Sequence, residues 1–168
     1  MSQVENKLRW CLNKAKKELH ELGKHRGLVI RMPDLTAASA HINKAEHNLN
    51  ALLYLENGGF SDWSVSAGFY CVYHCFLAIL AKEGYESRNQ ECTLAAIEHL
   101  IEINKIKIDQ KFVYALMQYD ERKHTESTII ELRESLQYGA GTQANVNDLS
   151  KLKKLCKEAL NSTKEIIR

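Results

Sequence analysis

The chain has 168 residues, enough for one domain with a self-sufficient core, and a single proline and eight glycines among abundant Leu, Ala, Glu and Lys point to an all-helical protein. The formal net charge is only +2, but it is unevenly spread: residues 1–31 carry eight Lys/Arg against three Glu, and residues 151–168 six against two, around an acidic middle. Five cysteines, an odd number, and an opening MSQVENKLRW without an apolar stretch argue against a disulfide framework and for a cytoplasmic protein with reduced thiols. The apolar run Phe69 to Ala81 is 13 residues, too short to span a bilayer, so no membrane is expected.

In chain order, Leu8, Leu12, Ala15, Leu19 and Leu22 recur at spacings of three and four and predict a first helix over 4–24. Gly23 and Gly27 loosen its end, and the segment to Pro33 reads as a loop. A second helix starts near Asp34 or Ser39 and runs to about Glu56, where Asn57-Gly58-Gly59 stops it. Ser61 or Asp62 is the expected cap of a third helix, the most apolar of the chain, ending near Gly84; Glu91 to about Ile103 makes a fourth. After Asp109 a fifth helix carries Phe112, Val113, Leu116 and Met117, and the polar stretch 120–127 interrupts it. Thr128 with Glu131 three residues on is a capping box for a sixth helix ending at Tyr138 before Gly139-Ala140-Gly141. Asn147 or Asp148 opens the last helix, with Leu149, Leu152, Leu155 and Leu160 on its apolar side. The expected architecture is a compact antiparallel bundle of five to seven helices.

Chemistry-bearing clusters are few. Cys71, His74 and Cys75 share a helix at metal-ligand proximity, but no fourth ligand or second Cys pair accompanies them, so buried core thiols are the reading and no metal is expected. A Cys–His nucleophile is disfavoured too. Cys75 points about 100° away from His74 around the helix, and a thiolate at Cys71 is opposed by its apolar setting. No phosphate loop or nucleophile elbow is present, and no cofactor is expected. The stretch ELRESLQYG, residues 131–139, is different. Arg133 and Gln137 form an i, i+4 polar line ending in Tyr138, beside an apolar line of Leu132 and Leu136. An arginine fork and an amide on one face suit phosphate or a base edge; the alternative is an Arg133 neutralised by a nearby carboxylate such as Asp62. Upstream, Arg122-Lys123-His124 reads as an exposed basic turn. The basic chain ends attract RNA or an acidic partner, or are simply solvated helix faces.

These elements join into a pattern. An Ala-rich helix over 41–56, the run W-x-x-S-A-x-F-Y-x-x-Y-H at 63–74, LAKEGY at 80–85 and ELRESLQYG at 131–139 together resemble the HEPN superfamily of helical, nucleotide-associated domains. ELRESLQYG occupies the place where many relatives have R-x-x-A-D-Y-G. The resemblance covers most of residues 34–168 and makes 1–33 a helix-and-loop extension packed on the bundle, as in some prokaryotic, archaeal-looking members. It implies a homodimer with the aromatic third helix near the two-fold seam, so that Tyr70, Tyr73 and His74 are core or seam residues, each needing one polar partner.

Catalytic relatives cleave RNA without metal, using an Arg, then four to six residues, then a His. Here Arg133 is followed by Glu, Ser, Leu, Gln, Tyr, Gly and Ala, and the histidine is missing. The resemblance therefore implies a non-catalytic dimer that binds nucleotide or RNA through Arg133, Gln137 and Tyr138, set in an open groove of positive potential. It also suggests a nucleotidyltransferase-type protein partner in a toxin–antitoxin or defence setting. The alternatives are a metal-independent ribonuclease with a degenerate motif, or a purely structural dimeric scaffold.

Overall fold

The computed structural model describes residues 2–117 and 128–168, and among them the chain forms seven helices and one short two-stranded ribbon. The helices are α1 (Gln3–Leu22), α2 (Leu35–Asn57), α3 (Ser61–Lys82), α4 (Gln90–Glu102), α5 (Gln110–Ala115), α6 (Ile129–Tyr138) and α7 (Val146–Ile167). The strands β1 (Leu28–Ile30) and β2 (Tyr85–Ser87) pair antiparallel, with Val29 opposite Glu86. The cluster Arg122-Lys123-His124 lies outside the described residues.

Local chemistry places most helix starts. Ser2, Asp34, Asn89 and Asp109 each cap the helix that follows by accepting a backbone N–H. The capping box at Thr128 is complete: its side chain accepts from Glu131 N, while the Glu131 carboxylate accepts from Thr128 N. Two expected caps are displaced. Helix α3 starts at Ser61 behind Phe60, with no side-chain cap, because the Ser61 hydroxyl instead accepts from the Ala144 backbone N–H. Helix α7 starts two residues earlier than expected, because Asn145 caps Asn147 N and Asp148 N.

Helix α3 is the axis of the fold, packed against α2, α7, α6 and α4. Val65, Phe69, Val72, Phe76, Ile79 and Leu80 are all buried. It is long and apolar enough to cross a membrane by length and composition, but two thirds of that window (67%) is buried inside the bundle. Its closest neighbour on one side is α7. An added Cβ at Gly68 would sit 2.6 Å from Leu152 Cδ2, so the absence of a side chain there lets the two helices meet. Cys156 on α7 donates to the Gly68 carbonyl in the same seam, and Cys71, Cys75 and Cys156 are free and buried. Hydrogen bonding to Cys156 and burial together push the Cys71 thiol up, which keeps it neutral and unreactive.

The N-terminal segment is tied to the bundle in three ways. A disulfide joins Cys11 of α1 to Cys92 of α4, with the Cα atoms 5.7 Å apart. This corrects the expectation of five reduced thiols: two cysteines 81 residues apart in sequence meet across a helix pair, a proximity that spacing does not reveal. The β1–β2 ribbon is the second tie, and Glu86 in its middle takes ion pairs from Arg31 and Arg88 and meets His25 Nε2 at 3.3 Å. The third is a tight turn. Gly84, at φ +82°, brings its backbone so close to Arg31 that a Cβ would lie 2.8 Å from the Arg31 carbonyl oxygen.

Candidate functional site

Helix α6 sets the geometry. Ile129 and Ile130 are buried and Leu132 and Leu136 pack on the core, which turns the Arg133–Gln137 line along the flank of α3. The Arg133 guanidinium lies over the Phe69 ring, 4.2 Å from its centroid. Phe69 in turn stacks on Tyr73, 5.9 Å between centroids and 11° between planes. The Tyr73 hydroxyl meets Thr93 Oγ1 at 3.3 Å, and burial raises its pKa. A layered stack thus runs from α6 through α3 to the start of α4.

Arg133 Nε is buried without a hydrogen-bond partner, and no carboxylate pairs with the side chain among the described residues. Such a buried, unsatisfied donor is uncommon in folded proteins. The side chain lines a groove of about 440 Å³ between α4, α6 and the start of α1. Asn89 and Gln90 bring amides to it, Leu94, Met117 and Ile130 an apolar floor, and Lys7 a second cation. Glu91, Glu98 and Glu134 line it as well, and Lys7 pairs with Glu91 at 2.8 Å. Two cations against three carboxylates is not the positive groove that the sequence led us to expect. The acidic middle of the chain supplies these walls.

The three residues predicted to act together are also split. Gln137 Nε2 donates to Ser66 Oγ at 2.7 Å, and Tyr138 stands free at 87% exposure. Both line a second hollow of about 400 Å³ with Asp62 and Trp63 at the end of α6. Tyr138, five positions on, lies about 140° round the helix from Arg133, while Gln137 shares the Arg133 face but sits one turn further along, at the end of α6.

On α3, Tyr70 is half-exposed and edge-on to Phe69, while Tyr73 and His74 are half-buried. His74 Nδ1 lies 3.0 Å from Nδ1 of His41 on α2, so one ring donates and the other accepts, and the two cannot both be charged. Burial, then the neighbouring His41 and Lys44, lowers the His74 pKa to about 4; burial lowers His41 as well. A group whose folded pKa lies below its unfolded value of about 6.5 leaves the fold most stable above that value. Stability is then lost as pH falls from about 6.5 to about 4, because the unfolded state takes the proton first. For a half-exposed ring the effect, reduced by solvent screening, is about 1–2 kcal/mol. We expect an NMR titration to place His74 near 4 and His74→Gln to flatten the urea midpoint between pH 7 and 5. A His74 ring titrating at 6.5 contradicts the paired neutral state.

Ser66 and Phe69 stood in the family pattern without being assigned to the site, and His41 and Lys7 were not assigned to it either. Each is ordinary in its own helix and becomes part of a site only through cross-helix packing. Among the described residues no group of three or more His, Cys, Asp or Glu side chains is placed to hold a metal ion.

The architecture is therefore an all-helical bundle whose central aromatic helix carries an arginine on its flank. A family model described as HEPN domain matches residues 38–168, and the chain belongs to that family. No curated protein matches the chain. Helix α1 and β1 lie outside the matched range.

Proposed function

We propose that the protein is a non-catalytic HEPN dimer that binds nucleotide or RNA at the Arg133 groove. The observation that carries this reading is the Arg133 guanidinium itself: laid on Phe69, with a buried Nε that has no hydrogen-bond partner and no ion pair to a carboxylate among the described residues. A guanidinium on an aromatic face is held in place before ligand arrives and presents its outer edge to a phosphate or a base. The amides of Asn89 and Gln90 and the apolar floor suit a base, with Lys7 and Arg133 for the phosphate. Tyr138, the one side chain in the window where nucleases carry histidine, faces a different hollow, so its phenol does not stand in as a base.

The dimer reading is supported by α3. Trp63, Ala67, Tyr70, His74, Leu77 and Ala81 recur at spacings of four and three and are all left at least partly open, while the rest of the helix is largely buried. A nucleotidyltransferase-type partner belongs to the same proposal and rests on the family resemblance, and cytoplasmic placement rests on the opening MSQVENKLRW and the cysteine count.

The test is RNA binding in EDTA. Arg133→Ala is expected to weaken binding roughly 10- to 100-fold, as loss of charge-assisted hydrogen bonds does, with Arg133→Lys recovering only part. Unchanged affinity in Arg133→Ala sinks the site. RNA cleavage in EDTA that disappears in Arg133→Ala supports the ribonuclease alternative instead.

A further inference from the structure

The groove that holds Arg133 is not where the positive charge lies. Helix α1, outside the family match, buries Leu8, Cys11 and Ala15 against the bundle and turns its cations outward. Lys7, Trp10, Lys14 and Lys17 fall at spacings of three, four and three, one continuous line along the exposed face. Lys7 already lines the Arg133 groove, so the line begins at that groove and runs away from it for about 15 Å, at 1.5 Å per residue. Trp10 is 54% exposed, an unusual place for so large an apolar ring, and Lys14 Nζ sits 5.0 Å from its ring centroid. Lys17 is 74% exposed with only a loose pairing to Glu21 at 3.8 Å.

We infer that this ridge is a contact surface for single-stranded RNA, which leaves the Arg133 groove along α1 with its phosphates on Lys7, Lys14 and Lys17 and a base stacked on Trp10. The inference rests on the RNA reading of the Arg133 groove and extends it. Cations interleaved with an exposed aromatic on a rigid support are the elements of sequence-tolerant strand binding. The support is rigid because the Cys11–Cys92 bond and the Lys7–Glu91 pair fix α1 on α4. An anionic membrane surface fits less well. An interfacial helix inserts its apolar face, and the apolar face of α1 is already buried against the bundle.

The experiment measures fluorescence anisotropy of a labelled 20-nucleotide oligoadenylate in EDTA at several salt concentrations. Trp10→Ala is expected to weaken binding about 10-fold, within the range for one stacked base. Lys14→Glu with Lys17→Glu is expected to weaken it more than 10-fold and to lower the salt slope by about 1.4, two phosphates at 0.7 each. The control reverses Lys154 and Lys157, exposed on α7, and is expected to cost far less. Equal losses from the α7 control and the α1 pair, or an unchanged affinity in Trp10→Ala, overturn the ridge. So does tighter binding of polyglutamate than of RNA, which assigns the ridge to an acidic protein. Loss in the α1 variants with none in Arg133→Ala keeps the ridge and removes the groove; the opposite pattern removes the ridge alone.

Discussion

Reduction of the Cys11–Cys92 bond is expected to cost about 4.5 kcal/mol of stability, which for a chain of this length lowers the melting temperature by roughly 9–18 °C. The size follows from the loop. The bond joins residues 81 apart, and in the chain-entropy view a cross-link of that span removes much of the freedom of the unfolded chain. Both sulfurs are buried, so reductant reaches them only when α1 lifts, and reduction of the native protein is expected to be slow. Thiol counting in denaturant tests the starting point: three reactive thiols before reduction, Cys71, Cys75 and Cys156, and five after it. Five thiols at the outset overturn the bond.

With the bond reduced, α1 keeps Leu8 and Ala15 in the interface, the Lys7–Glu91 pair, and the Ser2 hydroxyl donating to Glu102 at 2.8 Å. These are worth little against the entropy of a freed helix, since exposed ion pairs contribute under about 1 kcal/mol. The largest loss of protection in hydrogen exchange is expected in residues 1–30, because α1 meets the bundle chiefly through α4 and β1.

The helices were legible in the sequence because their signals are local. Asp34, Asn57-Gly58-Gly59 and the Thr128–Glu131 box act within one turn, and the apolar stripes of α1 and α7 repeat often enough to be read. The β1–β2 ribbon was not legible: three residues per strand give no alternation, and its partner lies more than fifty residues away. The site followed the same division. Arg133 stood out by residue type and by its place in the family pattern. Its separation from Tyr138, its seat on Phe69 and the carboxylates around it depend on how α6 is rotated against α3 and α4, which helical periodicity leaves open. His74 is a like case. It was marked as needing one polar partner, and only the packing of α2 shows that partner to be His41.

Tyr70→Glu with Leu77→Glu is expected to convert a dimer, at twice 19.2 kDa, into a monomer at micromolar concentration, read by light scattering. Both residues lie on the open stripe of α3, Tyr70 at 47% exposure and Leu77 partly open. In a paired state each glutamate meets the apolar seam of a second copy. Two desolvated, unpaired carboxylates per chain weaken association by several kcal/mol, more than 100-fold. The stripe is suited to a second copy because its only titratable centre besides tyrosine is His74, which burial and its neighbours hold neutral above about pH 4. A charged imidazolium there would oppose closure; a neutral one, already bonded to His41, adds no such cost. The variant also separates association from folding, since its melting temperature at low concentration should match that of the dilute wild type. A wild-type chain that stays at 19.2 kDa at tens of micromolar refutes the pairing, and the α3 stripe then needs a different protein to cover it.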